Sequence, residues 1–331
     1  MNDIIRIGTR KSALALIQTQ LVADELRQVC PGIQVEIVTK DTLGDRILDK
    51  PLQEFGGKGV FVSEFEQAIQ EGVIDLAVHS AKDLPMELAE GLTIAAVSGR
   101  EDPRDVLVTM RGHKIQPKSM VRIGTSSPRR QLQAGLMRKT LWPGAAGTEC
   151  STLRGNVHTR LRKLEEGNFD CIILAAAGLK RLGLLEQDTY EYTFLNPEEF
   201  IPAGGQGLMA VEAKAGTMAH SLTQAMDHAH GRLCLELERR VLKLLDAGCH
   251  EPIGIYSVPD NGQLEVWGIS SRRGEVKRIH MTGGTSREDM EKLALEAWKG
   301  LMCYGEYGNG ISGRRRSGRP VSDDPEGPGA S

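Results

Sequence analysis

The residues best suited to chemistry in this chain are basic and hydroxylic, and they sit where short strands run into helices. Arg10 and Ser12 occupy the first such turn. Thr125, Ser126, Ser127, Arg129 and Arg130 occupy a second, and Arg154 and Arg160 flank a helix start at Gly155-Asn156. A helix N-terminus offers unpaired N–H groups and the positive end of a dipole. Hydroxyls and guanidinium forks added to it make a site for carboxylates or phosphates. In open α/β sheets such turns gather at the carboxyl edge, where ligands bind. Two such edges facing one another would clasp a ligand with several negative charges. One arginine in such a turn reads as solvated surface; five at equivalent turns do not.

Two further features carry reactive groups. His79-Ser80-Ala81-Lys82-Asp83 follows an apolar run and ends in an adjacent lysine and aspartate. A carboxylate beside a lysine stays ionised and can balance a cationic intermediate. On an open surface the same pair is worth little. Cys249 lies in Asp246-Ala247-Gly248-Cys249-His250-Glu251-Pro252, a loop expected after a helix. A loop thiol is available as a nucleophile, unlike one in a core.

The elements that must position these groups alternate. Residues 4–7 read as a strand and 8–11 as a turn. Ser12 caps a helix buried along Leu14, Ile17, Leu21, Val22 and Leu26. Residues 35–38 form a second strand. The polar, glycine-rich stretch 41–58 reads as a loop and a candidate lid. A helix over 63–71 and a strand over 74–78 follow. This alternation predicts α/β layers around mostly parallel sheets. The pattern then recurs. Arg6-Ile7-Gly8-Thr9 is echoed by Arg122-Ile123-Gly124-Thr125, and residues 71–78 by residues 166–173, in the same order. Two similar lobes made by duplication follow. Aligning Asp75 with Asp170 sets Lys82 against Ala177 and Asp83 against Gly178. A scaffold needs no such asymmetry; an active site confined to one lobe does.

A third region begins near Arg232. A helix over 232–245 has apolar positions at 233, 237, 241, 244 and 245, with Gly248 as a left-handed cap. Strands over 253–258 and 264–269 are joined by an Asn261-Gly262 turn. A helix over 287–301 closes the unit, and the tail from 305 is expected to be disordered. The length, 331 residues, exceeds one ordinary core. Hydrophobic content of 40% and charged content of 26% describe a soluble globular protein. A net charge of −3 gives no reason to expect nucleic acid. No stretch approaches a membrane span, and the N-terminus lacks the order of a signal peptide. The six cysteines contain no Cys-x-x-Cys pair, which argues against zinc and against a disulfide framework. A reducing cytoplasm fits.

Read together, these motifs resemble the porphobilinogen deaminases, also called hydroxymethylbilane synthases. The resemblance runs from Ile4 to about Leu301. It includes Thr9-Arg10-x-Ser12, Gly56-Gly57-Lys58-Gly59-x-Phe61, His79-Ser80-x-Lys82-Asp83 and Arg100-Glu101-Asp102-Pro103-Arg104-Asp105. It continues through Gly124-Thr125-Ser126-Ser127-x-Arg129-Arg130, Arg154-Gly155-Asn156, Gly205-Gln206-Gly207 and Gly248-Cys249-x-x-Pro252. It implies three α/β domains. Two are duplicated, doubly wound lobes resembling type II periplasmic binding proteins: 1–98 with 207–225, and 104–201. The third, 230–304, is a small α+β domain bearing the cysteine loop, and 305–331 is tail. Crossovers are expected near 99–103 and 202–206.

The resemblance also implies a cofactor, dipyrromethane, attached as a thioether to Cys249. Lys82, Asp83, Thr125, Ser126, Ser127, Arg129, Arg130 and Arg154 would hold it. Arg10, Ser12, Arg154, Arg160 and Arg181 would grip the incoming substrate, porphobilinogen. Asp83, aided by Lys82, would be the catalytic carboxylate as porphobilinogen loses ammonia and the electrophile condenses with the terminal pyrrole. Four additions and a hydrolysis would give 1-hydroxymethylbilane. No metal, nucleic acid or membrane is implied, and a cytoplasmic monomer is expected. Residues 132–152 depart from the family pattern, which leaves the approach to Arg154 open. The competing reading is a non-catalytic two-lobed protein that binds a polyanion. It gives no purpose to Lys82-Asp83 or Cys249. A phosphate-transferring enzyme is weaker still, since no P-loop or metal-ligand cluster is present.

Overall fold

The computed structural model describes residues 4–40, 62–247, 251–272 and 274–302. Cys249, the 41–58 loop and the 305–331 tail lie outside the described residues. The first lobe contains β1 (Ile4–Arg10), α1 (Ala13–Val29), β2 (Gln34–Lys40), α2 (Ser63–Gln70), β3 (Leu76–Ser80), a 3-10 turn (Ala81–Asp83) and β4 (Leu92–Val97). The second contains β5 (Asp105–Met110), β6 (Met120–Gly124), α3 (Pro128–Leu136), α4 (Arg138–Leu141), β7 (Gly147–Ser151), α5 (Val157–Glu165), β8 (Cys171–Ala175), α6 (Ala176–Arg181) and β9 (Tyr190–Phe194). The chain then returns to the first lobe as β10 (Met209–Lys214) and α7 (Met218–Thr223). A third unit follows: α8 (Ala229–Leu244), β11 (Ile253–Asp260), β12 (Gln263–Ser270), β13 (Lys277–Gly284) and α9 (Arg287–Met302).

The two five-stranded sheets have the orders β2-β1-β3-β10-β4 and β7-β6-β8-β5-β9. Position by position they are the same sheet. The expectation of mostly parallel sheets needs correction, because each is mixed. β1 runs parallel to β2 and β3, while β10 runs antiparallel to β3 and β4. The second sheet repeats this with β6 parallel to β7 and β8, and β5 antiparallel to β8 and β9. The cause is the route of the chain. The fourth strand of each sheet arrives from a crossover and enters from the opposite end.

Duplication extends to single hydrogen bonds. Arg6 N donates to Asp75 Oδ2 at 2.8 Å, and Arg122 N donates to Asp170 Oδ2 at 2.8 Å. Each guanidinium also pairs with the same aspartate. Gly8 and Gly124 mark the same close approach. A Cβ on Gly8 would lie 2.4 Å from Ile74, and one on Gly124 3.0 Å from Phe169, the aligned residue.

The first strand runs three residues past the expected boundary and carries Arg10 to the carboxyl edge of its sheet. Ser12 caps α1 as expected, accepting from Ala15 N at 3.3 Å. The buried face of α1 is rotated from the expected one. Gln18, Thr19, Val22, Ala23 and Leu26 are buried, while Leu21 is exposed. A polar residue replaces an apolar one there because Gln18 Nε2 has a partner, Ser80 Oγ, at 3.1 Å. In α8 the buried face likewise includes Glu238, and Leu244 is exposed.

The two crossovers, residues 98–104 and 195–208, lie side by side. Glu101 N donates to Gly207 O at 3.2 Å and Ser98 N to Met209 O at 3.0 Å. Gly207 has φ of 88°, and a Cβ there would sit 2.3 Å from Glu101 O. Gly207→Ala is therefore expected to cost more than the roughly 1–2 kcal/mol of a left-handed alanine, because a backbone carbonyl must also move. Chemical denaturation of the two proteins measures this. From the third unit, the fully buried Glu238 reaches both crossovers. It accepts from Arg100 Nη2 and Gly205 N, each at 2.7 Å, and from Ser257 N and Oγ, each at 2.8 Å.

Candidate active site

The first lobe contributes the turn that follows β3. Its strand neighbour is β10, and Ala81 N donates to Leu208 O at 3.0 Å. The second lobe matches this bond with Ala176 N to Arg104 O at 2.9 Å. The alignment of Lys82 with Ala177 and Asp83 with Gly178 is thus an alignment in space. The plain copy has a packing reason: Gly178 faces Leu14 of the first lobe, whose Cδ2 is 3.6 Å from where a Cβ would sit. A side chain at this position would extend toward the first lobe.

Asp83 is exposed, while Lys82 is partly covered. Lys82 Nζ donates to Gln206 Oε1 at 3.2 Å. Desolvation pulls its ammonium down to about 8, against the attraction of Asp83; Arg130 adds to the fall, Asp105 opposes it and Arg129 adds again. These influences place Lys82 and Asp83 of one lobe beside Arg129 and Arg130 of the other.

Arg129 and Arg130 are not solvated forks, as their sequence position suggested. Both are buried, at 3% and 7% exposure, around Asp105 at 0%. Arg129 Nη1 donates to Asp105 Oδ2 at 2.7 Å and to Ile201 O at 2.8 Å. Arg130 donates Nε and Nη2 to Asp105 Oδ1, at 3.1 and 2.7 Å, and Nη1 to Ile173 O at 2.8 Å. In the sequence Asp105 carries no signal beyond its place at the end of a motif. Two adjacent arginines at the start of a helix were the available sign that a buried carboxylate must exist.

Arg160 turns back to donate Nε to Gly155 O at 2.8 Å. Its guanidinium is pulled down to about 10 by desolvation, then by Arg130, with Asp83 opposing and Arg154 adding to the fall. Two arginines thus crowd a third, with Asp83 opposing them. Gly155, at φ 108°, and Asn156, which caps α5 through Thr159 N, set up this turn. The unusual segment before it is an ordered helix–strand connection. Trp142 and Ala145 pack into the second lobe's core, and β7 delivers Leu153 to Ser126, whose Oγ donates to Leu153 O and accepts from Leu153 N, both at 3.0 Å.

Not every expected site residue joins the cluster. Thr125 Oγ1 accepts from Ser127 N at 3.2 Å, and Ser126 is committed to Leu153. Ser127 caps α3 by position, with no side-chain bond to its N–H groups and Pro128 next in line. Arg10 ends β1, the strand beside β3, at the carboxyl edge of the first sheet, and Ser12 caps the helix that follows. Arg181 points elsewhere. Its Nη2 donates to Gly207 O at 2.8 Å, while Lys180 pairs with Glu101 at 2.7 Å, so α6 grips the crossovers.

A pair of apposed lobes with an anion-hungry seam narrows the possibilities, and sequence comparison decides between them. Residues 5–221 match the family model described as porphobilinogen deaminase, dipyromethane cofactor binding domain, and residues 232–301 match the porphobilinogen deaminase C-terminal domain. The chain belongs to the porphobilinogen deaminase family. It is 40% identical over 303 residues to the porphobilinogen deaminase of Xanthomonas axonopodis pv. citri, covering 91% of this chain and 96% of that one. It is 43% identical over 306 residues to that of Alkaliphilus metalliredigens, covering 91% and 93%. Among solved structures, the periplasmic VFT2 domain of Bordetella pertussis BvgS is similar over 68% of this chain and 87% of its own, at 14% identity and a TM-score of 0.38.

Porphobilinogen deaminases are transferases of tetrapyrrole biosynthesis, and this chain contains their dipyrromethane-binding domain. The residues present suit that cofactor. Each of its pyrroles bears an acetate and a propionate. Lys82, Arg129, Arg130, Arg154 and Arg160 gather around Asp83 and Asp105. The surplus positive charge is what a set of bound carboxylates would balance. Among the described residues no group of histidine, cysteine and carboxylate side chains could hold a metal, and no helix is long and apolar enough to cross a membrane.

Proposed function

We propose that this chain condenses four porphobilinogen molecules, one at a time, onto a dipyrromethane tethered to Cys249, and releases 1-hydroxymethylbilane by hydrolysis. The observation that carries this reading is the gathering of five cations, Lys82 from one lobe and Arg129, Arg130, Arg154 and Arg160 from the other, around Asp105 and the exposed carboxylate Asp83. Dipyrromethane would supply a pyrrole α-carbon as the nucleophile. Lys82, Ser127, Arg129, Arg130 and Arg154 would take its carboxylates. Arg10 and Ser12 would bind the substrate's acid groups, and Arg160 would serve both.

Asp83 is suited to two tasks. Its carboxylate can accept hydrogen bonds from pyrrole N–H groups and balance positive charge as ammonia leaves. It can then receive the proton released from the attacking pyrrole α-carbon. The aligned position in the other lobe is Gly178, so one carboxylate serves the whole cleft. The seam between lobes must widen as units are added. The three domains assigned from the sequence, 1–98 with 207–225, 104–201 and 230–304, would move about the paired crossovers. A cytoplasmic monomer suits this scheme.

The attachment site has a direct test. Wild-type and Cys249→Ser apo-proteins are incubated with porphobilinogen and weighed intact. The wild type is expected to gain the mass of a covalent dipyrrole, and the variant none. A dipyrrole on another residue, or an unmodified but active wild type, would overturn the assignment.

A further inference from the structure

Gln206 spans the gap between the two lobes. Its Oε1 accepts from Lys82 Nζ at 3.2 Å. Its Nε2 donates to Asp105 Oδ1 at 3.1 Å and to Pro103 O at 2.8 Å. It is 1% exposed, and its backbone carbonyl accepts from Arg100 Nη1 at 2.8 Å. Both ends of the amide are therefore committed, one to each lobe. Its neighbour Gly205, at φ 76°, seats the crossover against the Lys82 turn: a Cβ there would lie 3.0 Å from Lys82 N. A side chain with a donor and an acceptor a fixed distance apart is what this span demands.

We propose that Gln206 is a positioning residue for the reaction: its amide ties Lys82 of the first lobe to the Asp105–Arg129–Arg130 knot of the second, and so keeps the cations that take the cofactor's carboxylates in register. The proposal rests on the reading that Lys82 and the two arginines hold those carboxylates. Besides burial, the charges acting on Lys82 include Asp83 on its own turn, Arg130 and Arg129 on α3, and Asp105 at the start of β5. Glu238, reaching the crossovers from α8, is taken up by Arg100, Gly205 and Ser257. The carbonyl dipole of Gln206 favours the ammonium form of Lys82, so its loss should let that proton leave at lower pH.

The test uses full-length apo-protein and the rate of covalent dipyrrole gain from porphobilinogen, followed by intact mass across the neutral-to-alkaline range. Gln206→Met removes all three side-chain bonds. Loading is expected to slow roughly ten- to a hundredfold, and its alkaline limb to move down by roughly one pH unit. Gln206→Glu restores an acceptor for Lys82, and the cluster remains positive with one more carboxylate. Its limb is expected to move up instead, while loading remains slow because the donor to Asp105 is gone. A purely structural role would shift neither limb, or shift both the same way, and either result overturns the proposal. If the methionine variant does not fold, the direction of the glutamate limb decides alone. Lys82→Met separates the two levels. Normal loading in that variant would sink the underlying reading, whereas impaired loading there beside normal loading in Gln206→Met would sink only the role of Gln206.

Discussion

Replacing Asp83 by alanine is expected to lower turnover by about 10³- to 10⁴-fold, the range spanned by removing a positioned acid–base group and its electrostatic support. The fold should hardly notice. Asp83 is exposed, and its turn is fixed by backbone bonds from Ala81 N to Leu208 O and from Leu84 N to Ala81 O. Stability is expected to stay within about 0.5 kcal/mol of the wild type. Asp83→Asn keeps the shape and one acceptor but cannot take a proton, so it should be nearly as inactive. Steady-state turnover with thermal unfolding on the same samples measures both. Near-normal turnover in either variant would refute the assignment of Asp83.

The second large effect is structural in origin. Asp105→Ala leaves Arg129 and Arg130 buried without their shared counter-ion. Breaking one side of such a buried network costs about 3–5 kcal/mol, and the arginines lose the orientation that would present them to a ligand. The variant should unfold at markedly lower denaturant and fail to retain a dipyrrole. Acid titration offers a finer check. Burial by itself raises the Asp105 carboxyl, but Arg129 and Arg130 outweigh it and hold the group well below the usual carboxylate range. Its stabilising contribution is therefore complete above the unfolded value near 4 and is lost as pH falls through the lower folded value. Asp105→Asn is expected to be less stable at neutral pH and to lose less on acidification. Parallel stability–pH curves would show otherwise if the pair were solvated.

The cost of burying two arginines also bears on what the cleft is for. The charges of Arg129 and Arg130 are offset by one carboxylate, so the knot keeps one net positive charge next to Lys82 and Arg160. The depressed values of Lys82 and Arg160 have that crowding in common, together with desolvation. A protein of net charge −3 would gain nothing from concentrating cations at one seam unless an anion normally completed it.

Much of this was legible before any coordinates. Periodicity, capping and turn chemistry act over a few residues. The helix capped by Ser12, the hairpin turning at Asn261-Gly262 and the paired echoes of residues 6–9 and 122–125 were therefore readable, and so was the asymmetry between Lys82-Asp83 and Ala177-Gly178. What a residue does across the molecule was not. Arg129, Arg130 and Arg181 look alike in sequence. Only tertiary contacts turn the first two onto Asp105 and send the third to the crossover at Gly207. The antiparallel fourth strand of each sheet, the burial of Gln18 and Glu238, and the bridging place of Gln206 depend on chain segments 60 to 140 positions apart, such as Gln18 with Ser80 and Arg100 with Glu238. The sequence by itself determined which chemical groups the protein owns and that two lobes share them. The tertiary structure decided which charges pair with one another and which are buried, because that depends on partners no local pattern encodes.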